Sequence, residues 1–316
     1  MVDSINPKGK PLSHLRVLFT AIDLEQAEHR GIAYLSKSLI TALSDLGAEV
    51  YLLTGFYGKR LNPIMRFSMS ASSIREVDCA DILDQFCDPE NRLKKFKKAI
   101  ETDKEEELIR KFYNKVVKLK NRSTRISSIL ISVLRFYLNR GSFSGKLIEL
   151  NEFENTPYFG QERVEYLSKI KGFLSVKDIY NFSTLRSKRL LFNTPCIDLR
   201  KFKIDLLITS CPLSIDVKVN TKKSVNIIQM IMDFIPLSFS KHPDHPFDFY
   251  NRLKDATKTK NCFISDATRD KMSSILGYYP SYDYRSILYP LPSLSIEKLK
   301  LASKIKKIGY LQNKYI

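Results

Sequence analysis

Apolar and polar positions near the start of the chain follow a strand–helix–strand pattern. The run 15–21 is mainly apolar, as expected for a strand that is buried on both faces of a sheet. From Ile32 to Leu46, apolar residues recur at spacings of three and four, which predicts a helix with one buried face. Gly47 stands where a left-handed helix end is favoured, and a second strand-like run covers 48–54. We expect the two strands to pair in parallel through a right-handed crossover.

The same alternation returns in the second half of the chain. Its strand-like runs are, in order, 205–211, 224–231, 262–264 and 286–289. Such alternation is typical of an α/β protein whose parallel sheet has helices on both faces. We therefore predict a Rossmann-like parallel sheet whose central strands carry the following residues: Val17, Leu52, Leu207, Ile228 and Phe263.

The stretch from about 88 to 171 departs from this alternation. Charged helical patterns follow one another there, which predicts a helical insertion between strands of the core. The predicted organisation is a polar arm over 1–14, a Rossmann-like domain over 15–292 that contains the insertion, and a linker helix within 293–316.

The composition is that of a folded protein, with 316 residues of which 43% are hydrophobic. A chain of this size buries about three quarters of its unfolded surface, which excludes a wholly disordered protein. The N-terminus has no signal-peptide pattern, and no apolar run approaches the ~18 residues that would cross a bilayer. The five cysteines form no C-x-x-C pair, so we predict free thiols and a cytoplasmic location.

Basic residues are concentrated in one part of the chain. The net charge is +18, and the stretch 108–140 holds nine basic residues and no acidic one. Such a block indicates lipid or nucleic acid phosphates as partners, unless it is only a solvated face. The dense apolar residues of 126–138 favour a membrane interface or a packed core over base stacking, so we expect no nucleic acid. We predict that an anionic surface, at the inner face of a membrane, contacts the following residues: Lys111, Lys115, Lys118, Arg122 and Arg125.

Two positions at the expected carboxyl edge of the sheet carry candidate chemistry. Arg30, Gly31 and Ile32 open the first helix, whose free N–H groups and partial positive charge suit a phosphate. Gly31 permits close approach and Arg30 offers a charge-assisted bond; the equal alternative is a turn glycine beside a solvated arginine. Asp233 follows a buried strand, where it contacts a hydroxyl-rich substrate or merely accepts backbone N–H bonds in the turn.

The sequence gives no strong sign of a metal site or a bound cofactor, and we expect neither. His242 and His245 flank Asp244 in a loop with two prolines, which is a weak pattern for metal ligation. No D-x-D pair, which would hold a metal and a nucleotide diphosphate, occurs anywhere in the chain.

Five segments together resemble the N-terminal domain of the retaining family 4 glycosyltransferases, which have the GT-B fold. These segments match in order and spacing, and they are 30–39, 46–50, 205–213, 232–237 and 264–269. The resemblance covers 15–292, with 88–171 as a divergent region.

The resemblance implies two Rossmann-like domains that face each other across a cleft, and a hexosyltransferase of cell-envelope polysaccharide synthesis. The N-terminal domain would bind a glycan or lipid-linked acceptor, and the C-terminal domain would bind the nucleotide sugar as substrate, without a metal. By the same resemblance, the Gly31 loop approaches the donor phosphate, and Asp233 is the catalytic residue that faces the acceptor or the transferred sugar. Position 232 is often His in the family; here it is Met232, which cannot take a proton.

The donor half of that family has no counterpart in this sequence, because Ile316 falls where the first strand of the second domain is expected. The resemblance then implies an acceptor-binding half that transfers no sugar alone, with a separately encoded donor domain as a partner. One competing hypothesis is a non-enzymatic basic α/β module that binds nucleic acid or an anionic surface. Another is a degenerate remnant of such an enzyme that has no activity.

Overall fold

The computed structural model describes residues 10–26, 31–56, 79–80, 82–87, 129–150, 163–219, 225–238, 244–277 and 285–286. The strands of these residues are β1 Arg16–Thr20, β2 Glu49–Thr54, β3 Ser142–Ser144, β4 Lys146–Glu149, β5 Gly172–Ser175, β6 Cys196–Asp198, β7 Leu206–Thr209, β8 Asp216–Lys218, β9 Asn226–Ile231, β10 Lys260–Phe263 and β11 Arg285–Ser286. Their helices are α1 Gly31–Asp45, α2 over 79–80 and 82–87, α3 over 129–138, α4 Ile179–Ser187, α5 Ile235–Ser238, α6 Pro246–Ala256 and α7 Asp266–Leu276, with a 3-10 turn at Glu165–Lys169.

Eight of the described strands form one sheet in the order β11-β10-β9-β7-β1-β2-β5-β4. Seven of them are parallel, and β4 pairs antiparallel with β5 at one edge. The predicted α/β class and parallel sheet are therefore confirmed. All five residues that we placed in central strands belong to this sheet. The strands β3, β6 and β8 form a second, small parallel sheet.

The strand order reverses direction between β1 and β7. From β1 the chain adds β2 and β5 on one side, then returns to place β7, β9, β10 and β11 on the other. The amide of Arg16 donates to the Asp205 carboxylate at 2.9 Å, which fixes the start of β7 against the start of β1. In open parallel sheets such a reversal leaves a crevice at the carboxyl ends of the two strands, and ligands bind there.

Alternate side chains of the central strands are buried on opposite faces of the sheet. On one face Phe19 and Leu52 pack with Ile40 of α1 and Phe86 of α2. On the other face Leu18 joins the helices α3 and α4. A fully buried Leu or Phe side chain stabilises the fold by about 1.5–3 kcal/mol, so both layers hold the sheet. Within the described residues, none of the helices combines the length and apolar character that a bilayer crossing requires.

Helix ends occur where the sequence predicts them. Gly47 has a φ of 101° just beyond α1, which only glycine adopts without strain. The Ser265 hydroxyl accepts the Thr268 amide at 3.2 Å and begins α7, and Gly277 ends that helix in the left-handed region.

The predicted helical insertion is not wholly helical. Its described part contains α3, but 142–149 forms β3 and β4, and β4 joins the edge of the main sheet. The strands β3 and β4 are three and four residues long, too short for a hydrophobic period to mark them. The predicted linker helix, the first nine residues of the polar arm, and the basic positions Lys111 to Arg125 lie outside the described residues.

Candidate functional site

The carboxyl ends of β1 and β7 are joined by a short chain of polar side chains. The Ser210 hydroxyl donates to Asp23 Oδ1 at 2.6 Å. The Ser210 amide donates to Thr20 Oγ1 at 3.0 Å, and the two hydroxyl oxygens lie 3.3 Å apart. These bonds place Asp23 in the crevice where the strand order reverses.

One oxygen of the Asp23 carboxyl group makes no hydrogen bond to any of the described residues. Among the described residues, Oδ2 of Asp23 and Oγ of Ser36 are both buried and make no hydrogen bond. Burial raises the pKa of Asp23 above its ordinary value, while the Ser210 and Ser36 hydroxyls act in the opposite direction. Because the Ser36 hydroxyl influences the pKa of Asp23 but makes no hydrogen bond, it lies near the carboxyl group without good hydrogen-bond geometry. Buried polar atoms are normally hydrogen-bonded, so Asp23 is an under-satisfied carboxyl group within the packed crevice.

At the end of the neighbouring strand β2, the polar groups already have hydrogen-bond partners within the chain. Oε1 of Glu25 accepts the Thr54 hydroxyl at 2.6 Å and the Gly55 amide at 3.0 Å. The Tyr180 hydroxyl accepts the Ala21 amide at 2.9 Å and donates to the carbonyl oxygen of Leu53. Burial raises the pKa of Tyr180, so its phenol stays protonated. These bonds hold the loop after β1 in place, and we assign them a structural role.

A separate pocket opens beside the end of β9. Its volume is about 360 Å³, and its lining residues are Asp233, Phe234, Ile235, Ser238, Ala267, Thr268 and Lys271. Oδ1 of Asp233 accepts the Ile235 amide at 3.1 Å, so the carboxylate does cap the turn. Lys271 Nζ lies 5.7 Å from the centre of the Phe234 ring. The pocket thus combines a carboxylate, a hydroxyl and an ammonium group, and the turn bond fixes the carboxylate in place.

The structure brings the two predicted site segments together. Gly31 is the first residue of α1 and is exposed, and Ile32 packs in an apolar cluster with Met230 and Met232. Met232 directly precedes Asp233, so the start of α1 and the strand that leads to the pocket share one cluster. The same cluster accounts for Met232, because an apolar side chain suits this buried position. Arg30, which completes the predicted loop, lies outside the described residues.

The sequence did not single out Asp23, Ser36, Ser210 or Lys271. A signal existed for Ser36, since it is a polar residue on the buried face of an apolar helix. Asp23 and Ser210 each follow a strand closely, but 187 positions separate them and only the strand order joins them.

The described part of the chain contains no group of three side chains able to hold a metal ion. His245 has another task there, because its Nδ1 accepts the Phe247 amide at 3.3 Å and caps α6. Asp244 pairs with Arg252.

At this edge of the sheet, the pocket at Asp233 places a carboxylate, hydroxyl groups and an ammonium group on one open surface, so it can both accept and donate hydrogen bonds. Comparison with known protein families, characterised proteins and solved structures finds no match to this chain.

Proposed function

We propose that this chain is the acceptor-binding domain of a nucleotide-sugar-dependent glycosyltransferase. The observation that carries the proposal is the pocket of about 360 Å³ that Asp233, Thr268 and Lys271 line beside the end of β9. Asp233 is the residue that the sequence resemblance marks as catalytic.

The position of the pocket supports the proposal. It lies at the carboxyl edge of a doubly wound parallel sheet, the edge at which such folds bind their ligands. The start of α1, which the resemblance assigns to the donor phosphate, packs against the strand that leads to Asp233. A sugar in the pocket would therefore lie on the side of the sheet where the donor is expected.

The chemistry of the pocket suits a sugar hydroxyl. The Ile235 amide holds one oxygen of the Asp233 carboxylate, and a carboxylate has further lone pairs that can accept a hydrogen bond from a sugar hydroxyl. A hydrogen bond to a charged group contributes about 1.5–3 kcal/mol. Lys271 supplies up to three donors for a second hydroxyl or a phosphate oxygen.

Glycosyl transfer also needs positive groups that stabilise the leaving diphosphate. We propose that a donor domain supplies these groups, and that the present domain positions the acceptor. Positioning alone contributes several kcal/mol to such a step, which is a sufficient role for a separate domain.

The test is the change Asp233→Asn, with Asp216→Asn as the matched control. Asp216 also accepts a neighbouring amide through Oδ1, at 2.8 Å, but it lies exposed on β8 in the small sheet. Binding of an oligosaccharide panel is followed by saturation-transfer NMR and calorimetry. We expect Asp233→Asn to weaken binding by about 10- to 100-fold, the equivalent of one charge-assisted bond, and Asp216→Asn to leave it unchanged.

Two results would contradict the proposal. Equal losses in the two variants would show that the pocket is not the binding site. Sugar transfer from a radiolabelled nucleotide-sugar panel by this chain alone would show that it is more than an acceptor domain.

A further inference from the structure

Helix α3 has apolar side chains on two opposite faces. Its inner face packs into the core through Phe136, whose ring centre lies 5.9 Å from those of Phe143 and Phe182. Its outer face, by contrast, is exposed to solvent. The exposed side chains of this outer face are Leu130 (62%), Ile131 (64%), Leu134 (61%), Tyr137 (41%) and Leu138 (75%). Their spacing of one, three and four residues makes them one continuous stripe.

Phe192, in the loop after α4, extends the stripe. Its amide donates to the Tyr137 hydroxyl at 3.4 Å, which places it beside the outer face of α3. Its side chain is 85% exposed. Single exposed apolar residues are normal on a protein surface, but a contiguous group of six marks a surface that contacts something else.

The segments that form this surface carry positive charge. No acidic residue occurs in 129–148 or 179–197, and their basic residues are Arg135, Arg140, Lys146, Arg186, Lys188 and Arg189. Arg140 and Lys188 are exposed, whereas Arg135 is paired with Asp178 at the start of α4 and Arg186 lies 3.9 Å from the Asp255 carboxylate. The sequence immediately before α3 is also basic and free of acids, over 108–128.

The combination of exposed apolar side chains and positive charge distinguishes between three kinds of partner, which are a second copy of the chain, a nucleic acid and a lipid surface. A second copy of the chain would bring two cationic surfaces together, which is unfavourable. A single-stranded nucleic acid would need aromatic groups for base stacking, whereas four of the six exposed side chains are aliphatic. Anionic lipid satisfies both properties, because its headgroups attract cations and its acyl boundary takes up aliphatic side chains.

We propose that the outer face of α3, together with Phe192, docks the chain onto an anionic lipid surface. The helix lies in the plane of the interface with Leu130, Leu134 and Leu138 among the acyl chains. Arg140 and Lys188 lie at the level of the headgroups. The proposal is independent of the glycosyltransferase assignment. If both hold, docking keeps the chain at the membrane, where a lipid-linked acceptor resides.

The test is flotation of the full chain with vesicles of phosphatidylcholine, with and without phosphatidylglycerol. The informative variant is Leu134→Ser with Phe192→Ser. The matched control is Phe247→Ser, because Phe247 is 54% exposed on α6, outside the proposed surface. We expect the double variant to lower the partition coefficient at least about tenfold and the control to leave it unchanged.

Changes of surface charge and of salt concentration provide a second test of the proposal. Arg140→Glu with Lys188→Glu should weaken binding to anionic vesicles several-fold. Raising salt from about 0.1 to 1 M should do the same, because the screening length falls from about 10 to about 3 Å. Equal binding to neutral vesicles, or no loss in either double variant, overturns the proposal.

The variants must also be examined without lipid. Side chains that face solvent should change the melting temperature by less than about 2 °C when replaced by serine. A larger drop shows that another part of the chain covers the stripe. A change from dimer to monomer shows that a second copy covers it. Either result overturns the lipid assignment.

Discussion

Replacement of Asp23 by asparagine should stabilise the folded chain at neutral pH. Asparagine keeps the oxygen that accepts the Ser210 hydroxyl. It also replaces Oδ2, which is buried with no partner among the described residues, by an amide NH₂ that can donate to the nearby Ser36 hydroxyl oxygen. An unpartnered buried acceptor costs about 1–3 kcal/mol. We therefore expect a gain on the order of 1 kcal/mol, which raises the melting temperature by about 2 °C for a chain of this size.

The pH dependence follows from the direction of the pKa shift. Burial raises the pKa of Asp23 in the folded state, so the folded chain holds the proton more tightly than the unfolded chain. Below the unfolded pKa, both states are protonated and the carboxyl group costs nothing. As the pH rises through the folded pKa, the cost of the buried charge develops fully. The difference between Asp23→Asn and the wild-type chain should therefore grow with rising pH.

Urea unfolding of both chains between pH 3 and about pH 8 measures this difference. Asp198→Asn is the control of opposite sign, because Arg200 lowers the pKa of Asp198 to about 2. Relative to the wild-type chain, that variant should lose stability as the pH rises from the folded pKa of about 2 to the unfolded pKa, and the loss should stay constant above it. The argument that burial of this carboxylate is unfavourable would be refuted by either of two results. Asp23→Asn could destabilise the chain at neutral pH, or the difference in stability between the two chains could be independent of pH.

Two further predictions concern two glycines and two cysteine thiols. Gly172→Ala should destabilise the chain by at least about 2 kcal/mol, because an added Cβ would lie 2.1 Å from the carbonyl oxygen of Ile148. Gly277→Ala should cost about 1 kcal/mol, since an added Cβ would meet no described atom within 4 Å and only the φ of 60° is unfavourable. Urea unfolding measures both changes in stability. Burial raises the pKa of the Cys211 thiol to about 12 and that of Cys262 to about 11, so neither should react with iodoacetamide at about pH 8 until the chain unfolds. Rapid native alkylation of Cys211, detected by mass spectrometry, would show that the end of β7 is accessible.

The sequence predicted those parts of the fold that have long apolar runs. The strands β1, β2 and β9 have five or six residues each and stand out against their flanking helices. By contrast, β6 and β8 have three residues each, too few for a period to identify them. The strand β5 has four residues, as β7 does, but it begins with a glycine and ends with a serine and has only two apolar residues between them. Their existence depends on partners that are distant in sequence.

The candidate site also contains one residue that the sequence predicted and one that it did not. Asp233 was predicted because it directly follows a recognisable strand, and the structure places it in a pocket. Lys271 was not predicted, because only the packing of α7 beside the end of β9 brings it to the same pocket. The contribution of Arg30 and of the basic positions before α3 remains a prediction, since both lie outside the described residues.

The hydrogen bond between Asp23 and Ser210 has a consequence for synthesis of the chain. A ribosome adds about 5–20 residues per second, so the 187 positions between these residues take roughly 10 to 40 seconds to translate. During that interval β1 can pair with β2, but its other edge stays open because β7 does not yet exist. An open strand edge is a template for aggregation. A nascent chain stalled before Ser210 should therefore depend on chaperones.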